Sequence, residues 1–292
     1  MAELAAVRRK QPAGLIINGG SLAALFVLVF GGSLILPWLA LDPNAVNIFN
    51  RLAPPSLSHP LGTDELGRDL LARLLAGGRV SLTIGLLGAL GAALLGTLIG
   101  VVAGYAGGRI DSVLMRITDA ILALPLLPVL IVLAALDLGK LGLPHAVLTS
   151  PWVSVYKLIL LITLFGWTTV ARLVRAAVLS LRTREFVMSA RALGASHTQI
   201  IWRHILPNAM TPIVIATTLS VGNIILTESV LSFLGLGIQP PLPSWGNMLT
   251  NAQELAWQAP QLAIYPGLLI FVVVVAFNFL GDAMQRVHGP GH

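Results

Sequence analysis

Six stretches of the chain are long enough and free enough of charge to cross a bilayer as helices, a span needing about 20 consecutive, mainly apolar residues. They run from Leu15 to Leu39, Val80 to Tyr105, Val113 to Leu136, Val153 to Ala177, Pro212 to Leu234 and Gln261 to Met284. The third carries Arg116 and Asp119 in its first turns, and Pro125 and Pro128 predict a kink further on. The fourth is strictly uncharged only from Leu158 to Ala171, so it spans if Lys157 and Arg172 snorkel outward from its two ends. The first run follows Arg8, Arg9 and Lys10 and lacks a small-residue cleavage pattern, so it reads as a membrane span rather than a signal peptide.

Between the runs the pattern changes twice. Residues 40–79 begin irregularly, with Pro43, Pro54, Pro55 and Pro60. From Asp64 onward Leu66, Leu70 and Leu74, with Leu71 and Leu75, make an apolar face, and Asp69 and Arg73 stand one turn apart. This predicts a short helix lying in the outer membrane interface, either an elbow leading into the second span or a docking rim for an external partner. Residues 181–210 are long for a connection but are not turn-rich. Arg184 to Leu193 reads as a helix, Gly194 as its stop, and Ser196 with Gln199 as the capping box of a second helix, with Pro207 breaking the chain before the fifth span. The expected architecture is an all-α polytopic membrane protein of six transmembrane helices. Its parts are a tail 1–14, a first helix 15–39, an outer loop 40–79, a core 80–284 containing the loop 181–210, and a tail 285–292.

Composition agrees with that patterning and removes competitors. Of 292 residues, 56% are hydrophobic and 10% charged, with mean hydropathy +0.86, against about 45–50% apolar and about 25% charged in soluble domains. A soluble enzyme and a disordered tail are excluded. With no cysteine, disulfides, thiolate metal sites and cysteine nucleophiles are excluded too. The net charge of +6 suggests nucleic acid until it is sorted by side of the membrane. Six spans place both termini and the 181–210 loop on one side, which carries 12 of the 18 Lys and Arg and a net +7. The other side sums to 0, and Glu228 lies within a span. The positive-inside rule then puts the basic side in the cytoplasm, so the charge reports topology and nucleic acid is dropped.

Three features carry candidate chemistry. Gly96, Gly100 and Gly104 in the second span share a helix face, which reads as close packing against another helix or as a pore lining. Ala190, Ala192, Leu193 and Ala195 leave the bend at Gly194 small and apolar, suited to a partner's groove, where a solvated basic face is the alternative. Glu228 costs about 2.5–3.5 kcal/mol within a span, so it faces protein or water. It either hydrogen-bonds locally, for example to Ser232, or belongs with Asn223 and Thr227 to a translocation path. Finally, no catalytic constellation is present. Gly139-Lys140 is followed by Leu141 and lacks the first P-loop glycine, Gly235 and Gly237 lack the third glycine of a dinucleotide fingerprint, and the six histidines fall in no metal-ligand spacing. The energy source must lie in another subunit or in an ion gradient.

Four stretches in matching order resemble the C-type permease subunits of ATP-driven importers for dipeptides, oligopeptides and nickel. They are His59 to Leu82; Gly104-Tyr-Ala-Gly-Gly-Arg-Ile-Asp with Met115-Arg-Ile-Thr-Asp119; Glu185 to Asn208; and Thr227-Glu-Ser-Val-Leu-Ser-Phe-Leu-Gly-Leu-Gly followed by Pro240-Pro-Leu-Pro-Ser-Trp-Gly-Asn-Met-Leu. The resemblance implies a type I importer permease fold in a bacterial cytoplasmic membrane, with N- and C-termini cytoplasmic. It also implies a cytoplasmic loop whose coupling helices seat in an ATPase cleft. Gly194 and Leu206-Pro207 match that loop's pattern; its opening Glu-Ala-Ala triad reads Met188-Ser189-Ala190 here, and His204 stands where the motif is apolar. The implied coupling residues are Glu185, Ala190, Arg191, Ala192, Leu193, Gly194, Ala195, Ser196 and Pro207. The implied partners are a homologous second permease, two ATP-binding subunits that hold ATP and Mg, an extracytoplasmic binding protein, a peptide substrate and the lipid bilayer, with no cofactor in this chain. Glu228 lies in a stretch general to the family, which makes it a poor selector of cargo. Nickel import is the alternative within the family, and an ion-gradient-driven transporter or a transport-inactive scaffold the alternatives outside it.

Overall fold

The computed structural model describes residues 20, 23–24, 26–32, 36, 41–141, 144 and 148–288. Among them the chain is helical, with one isolated bridge between Thr63 and Asp69 and no strand. Its main elements are α1 (Leu70–Ala106), α2 (Gly108–Leu122), α3 (Leu126–Ala134), α4 (Val153–Leu181), α5 (Glu185–Ala192), α6 (His197–Phe233) and α7 (Gln261–His288). Four of these, α1, α4, α6 and α7, are long and apolar enough to span a membrane, and α2 with α3 form a fifth candidate that is bent by 79°. The predicted tail 1–14 lies outside the described residues, as do much of the first predicted span, 15–39, and residues 289–292 of the other tail. The described turn of that span, Val27–Gly31, is helical, with Val29 buried and Phe26 edge-on to Phe277 at 6.3 Å.

The separate interfacial helix expected before residue 80 is absent. The amphipathic turns are instead the start of α1, a single helix of 37 residues, about 55 Å long at 1.5 Å per residue and so longer than the bilayer core. Its start is fixed by Asp69, whose carboxylate accepts the Ala72 N–H at 2.7 Å. This cap replaces the expected Asp69–Arg73 pair. Asp69 pairs with His59 at 2.9 Å, while Arg73 turns back to Asp64 at 3.3 Å and to the Pro43 carbonyl at 3.2 Å. Asp64 also takes the Arg68 guanidinium at 2.6 Å. The proline-rich loop 41–69 is therefore an irregular but charge-knotted cap on α1. Gly67 sits at φ +71° with the Asn47 carbonyl where a side chain would begin.

The third span breaks rather than kinks. Pro125 has no N–H to give and disfavours a helical Leu124, so α2 ends at Leu122, and Pro128 is harmless in the first turn of α3. The fourth span is stronger than its charges suggest, running 29 residues. Its Lys157 ammonium is spent on the free carbonyls at the end of α3, Ala134 and Leu136, the latter at 2.7 Å. Further along this span Arg172 meets Asp119 at 3.6 Å in the open.

Pro207 does not break the chain. The Leu206 N–H bonds the Ile201 carbonyl five residues back, and this widened turn, Ile201–Ile205, lies where the proline ring would otherwise meet the preceding turn, so α6 continues to Phe233. α1 lies along both α4 and α6, and α6 along α7. After α6 the segment around Trp245 folds back into the bundle, placing a fully buried indole between α1 and α6, where its Nε1–H donates to the Leu74 carbonyl at 2.9 Å.

Candidate functional site

Two regions stand out, an exposed turn at the basic end of the bundle and a buried carboxylate deep within it. At the turn α5 closes with both bonds of a Schellman motif: Gly194 N–H to the Arg191 carbonyl and Ala195 N–H to the Ala190 carbonyl, each 3.0 Å. Gly194 is at φ +84° with open space where a Cβ would sit, so glycine is required by the backbone and not by crowding. Ser196 then caps α6, accepting the Gln199 N–H at 3.3 Å while Gln199 accepts the Ser196 N–H at 3.0 Å. Val187 and Ile200 anchor this helix-turn-helix in a buried cluster with Val174, Val178, Ile205 and Ala209. Everything at the tip faces outward: Glu185, Arg191, Ala192, Gly194 and Ser196 are exposed, Ala190 and Ala195 are half-buried, and Leu193 is 88% exposed. Leu193 is thus an apolar side chain held well out on a doubly capped turn. Pro207 lies apart, beyond the widened turn of α6.

The turn is tied to its neighbours by polar contacts. His197, the first residue of α6, meets the Tyr105 hydroxyl at 2.8 Å, with the rings edge-to-face at 5.7 Å. Arg182 donates to the Gly104 carbonyl at 3.0 Å, and Arg175 grips Asp111 with two bonds, one of 2.6 Å.

The glycine face of α1 packs on α4. A Cβ at Gly96 would stand 2.6 Å from the Trp167 carbonyl oxygen, at Gly100 2.6 Å from that of Ala171, and at Gly104 2.9 Å from that of Arg175. The three glycines thus form a backbone-to-backbone seam rather than a pore lining.

Glu228 is fully buried. Its carboxyl accepts the Ser232 hydroxyl one turn on at 2.7 Å and the Ser81 hydroxyl of α1 at 3.0 Å. Those serines in turn hold the re-entrant segment: the Ser81 oxygen accepts the Trp245 N–H at 3.2 Å, and the Ser232 oxygen the Ile238 N–H at 3.0 Å. The local reading of Glu228 names Ser232; it does not reach Ser81 or the Trp245 segment. The clue available was small residues facing one another, since Gly77 and Gly78 touch Ser244 and the Trp245 ring, and Gly246 touches Ser229.

Asn223 and Thr227 are not brought together with Glu228. They lie on the outward side of α6, Asn223 exposed and Thr227 half-buried, with the Thr227 hydroxyl donating to the Asn223 carbonyl at 2.8 Å. Beside this helix, between α1 and α6, runs an apolar groove of about 820 Å³ walled by Leu90, Leu94 and Leu98 on one side and Met210, Val214 and Thr218 on the other. Glu228 is not among the residues that line it.

Residues 96–291 match the family described as binding-protein-dependent transport system inner membrane component. The chain is similar to the dipeptide transport system permease protein DppC of Alkalihalophilus pseudofirmus, at 39% identity over 94% of this chain and 86% of that one. It is also similar to the nickel transport system permease protein NikC of Escherichia coli K12, at 37% identity over 85% of this chain and 84% of that one. Among solved structures, a chain of a methionine ABC transporter in an inward-facing conformation superposes with a TM-score of 0.59, at 18% identity over 74% of this chain and 95% of that one.

Proposed function

Because the chain belongs to the binding-protein-dependent transport system inner membrane component family, we propose that it is the permease subunit of an ATP-driven importer of dipeptides and oligopeptides. The observation that carries this reading is the Gly194 turn. It is the kind of rigid, exposed, apolar-tipped knob that two ATP-binding subunits can grip and move, and it stands at the end of α6, which also bears the candidate path residues Asn223 and Thr227. With the basic end in the cytoplasm, the turn faces the ATPases and the charge-knotted loop 41–69 faces an extracytoplasmic binding protein. A homologous second permease supplies the other wall of the path. ATP and Mg act in the partner subunits, and their closure shifts the balance between two arrangements of the spans.

The cargo is read from α6. Ser220, Asn223 and Thr227 recur at helical spacing on its half-buried or exposed side as uncharged hydroxyl and amide groups, chemistry that pairs with peptide N–H and C=O groups. Nickel is the second reading, because the nickel relative is nearly as similar as the dipeptide one. Uptake into proteoliposomes holding the complete complex decides between them. Labelled dipeptide should accumulate only with ATP and binding protein. Accumulation of nickel in place of peptide would replace the cargo, and uptake driven by an ion gradient without ATP would overturn the reading.

The turn has its own test. Ala195→Cys in this cysteine-free chain should crosslink to a cysteine in the ATPase cleft. Gly194→Ala, which forces an alanine into a left-handed conformation at about 1–2 kcal/mol, should lower uptake several-fold at unchanged membrane abundance. Gly194→Asn, better suited to that conformation, should lower it less. Equal uptake by all three proteins would remove the turn from the mechanism.

A further inference from the structure

We propose that Tyr105 and His197 are positioning residues that carry displacement of the Gly194 turn into α1, so that one push moves two spans together. The inference rests on the importer reading above and names a route within it. His197 lies three residues beyond Gly194 and is the first residue of α6, rigidly placed by the Ser196 cap. Tyr105 is the penultimate residue of α1, and its hydroxyl meets His197 Nδ1 at 2.8 Å. The contact holds in either charge state of the imidazole, since the hydroxyl donates to a neutral Nδ1 and accepts from a protonated one.

Three further observations make this tie more than a surface contact. First, the end of α1 is held from the other side as well, by Arg182 on the Gly104 carbonyl and by Gly104 against Val178. Force arriving at Tyr105 therefore enters α1 and α4 as one unit. Secondly, α1 and α6 are joined again far along their length by the 3.0 Å bond from Ser81 to Glu228. Thirdly, between these two ties the groove of about 820 Å³ runs along one face of the pair, so their direct packing, as where Gly85 and Gly88 meet Ile225 and Ile224, is confined to the other face. The two helices are thus a pair pinned by polar contacts at both ends, with a groove along one face between the pins. Without the pin at Tyr105, the turn pulls on α6 while α1 stays with α4.

The test compares wild type, Tyr105→Phe, His197→Ala and the double variant in proteoliposomes containing the complete complex, with both ATP hydrolysis and peptide uptake measured. Each single variant should still hydrolyse ATP in response to loaded binding protein but should take up at least about fivefold less peptide per ATP. The double variant should lose no more than either single one, because both remove the same bond. An unchanged uptake-to-hydrolysis ratio, losses of the two activities in proportion, or losses that multiply in the double variant would each overturn the tie. Failure of wild type to take up peptide would instead overturn the transport reading. In that event contact itself decides, because a short bis-maleimide should join Tyr105→Cys to His197→Cys in membranes of the otherwise cysteine-free chain, and no crosslink would refute the tie.

Discussion

Gly100→Leu should leave little folded protein in the membrane. A Cβ at this position would lie 2.6 Å from the Ala171 carbonyl oxygen, 2.8 Å from Val174 Cβ and 3.1 Å from the Arg175 amide nitrogen. Two of those three neighbours are backbone, so no rotamer change on α4 relieves the clash, and the helices must separate. Separation loses the neighbouring contacts at Gly96 and Gly104, which are one turn away on the same face and equally tight. It also pulls Arg182 from the Gly104 carbonyl. Association of helices in lipid depends on close packing, because lipid tails compete equally for apolar surface. Overpacking costs about 1–3 kcal/mol where side chains can yield, and here the yielding group is a helix backbone, so the loss belongs at or above the top of that range. Gly100→Ala, which adds the clashing atom alone, should fall between wild type and Gly100→Leu. Gly267→Ala in α7, where a Cβ meets nothing within 4 Å, should be neutral or slightly stabilising, since alanine is the better helix former. Thermal unfolding of the detergent-solubilised complex, with membrane abundance by immunoblot, measures the series. A Gly100→Leu protein as stable as Gly267→Ala would show that the seam does not hold the bundle together.

That seam was legible because glycines four apart in an apolar helix have few physical meanings, and the turn because Gly194, Ser196 and Gln199 make their bonds within a few residues of one another. What escaped sequence reading depends on partners far away in the chain. A short helix within 40–79 and a separate span from Val80 are the expectation, and Gly77 and Gly78 fall at that junction. The structure instead sets Ser244 and the Trp245 ring against them, so they are small for packing, and the helix runs through. Pro207 looks like a break because its cost is local, whereas the widened turn that accommodates it is a property of backbone register. Lys157 weakens the fourth span on any hydropathy count, yet its charge is matched by carbonyls at the end of α3, more than 20 residues earlier in the chain. At Pro125 the sequence predicts a kink, but a helix that cannot donate at one residue and is disfavoured at the one before has two faults to absorb, and a 79° break is the result.

Glu228→Ala should unfold the packing of the re-entrant segment while Glu228→Gln largely preserves it. In the native protein one carboxyl ties two helices, accepting from Ser81 on α1 and Ser232 on α6. Alanine leaves a cavity and removes the acceptor from both serines. Ser232 and Ser81 have an escape, since a serine within a helix can turn its hydroxyl to the carbonyl four residues back. That rotation changes what else they hold, because the Ser81 oxygen accepts the Trp245 N–H and the Ser232 oxygen the Ile238 N–H. The cost is then that of a buried cavity together with weakened bonds to buried amides, about 3–5 kcal/mol, or a fall in melting temperature on the order of 10 °C. Glutamine keeps the volume and one acceptor oxygen, and its amide can donate to a serine oxygen, so its loss should be well under half as large. The two variants should also differ in where they loosen: hydrogen exchange at the Ile238 and Trp245 amides should accelerate in Glu228→Ala, with the amides at the middle of α4 unchanged. Transport gives the final discrimination. Glu228 is fully buried and absent from the groove wall, so Glu228→Gln should retain the wild-type order of preference among peptides even where its rate falls. A changed order of preference in a Glu228→Gln protein of near-native stability would place the carboxyl in contact with cargo and overturn its role as a tie between helices.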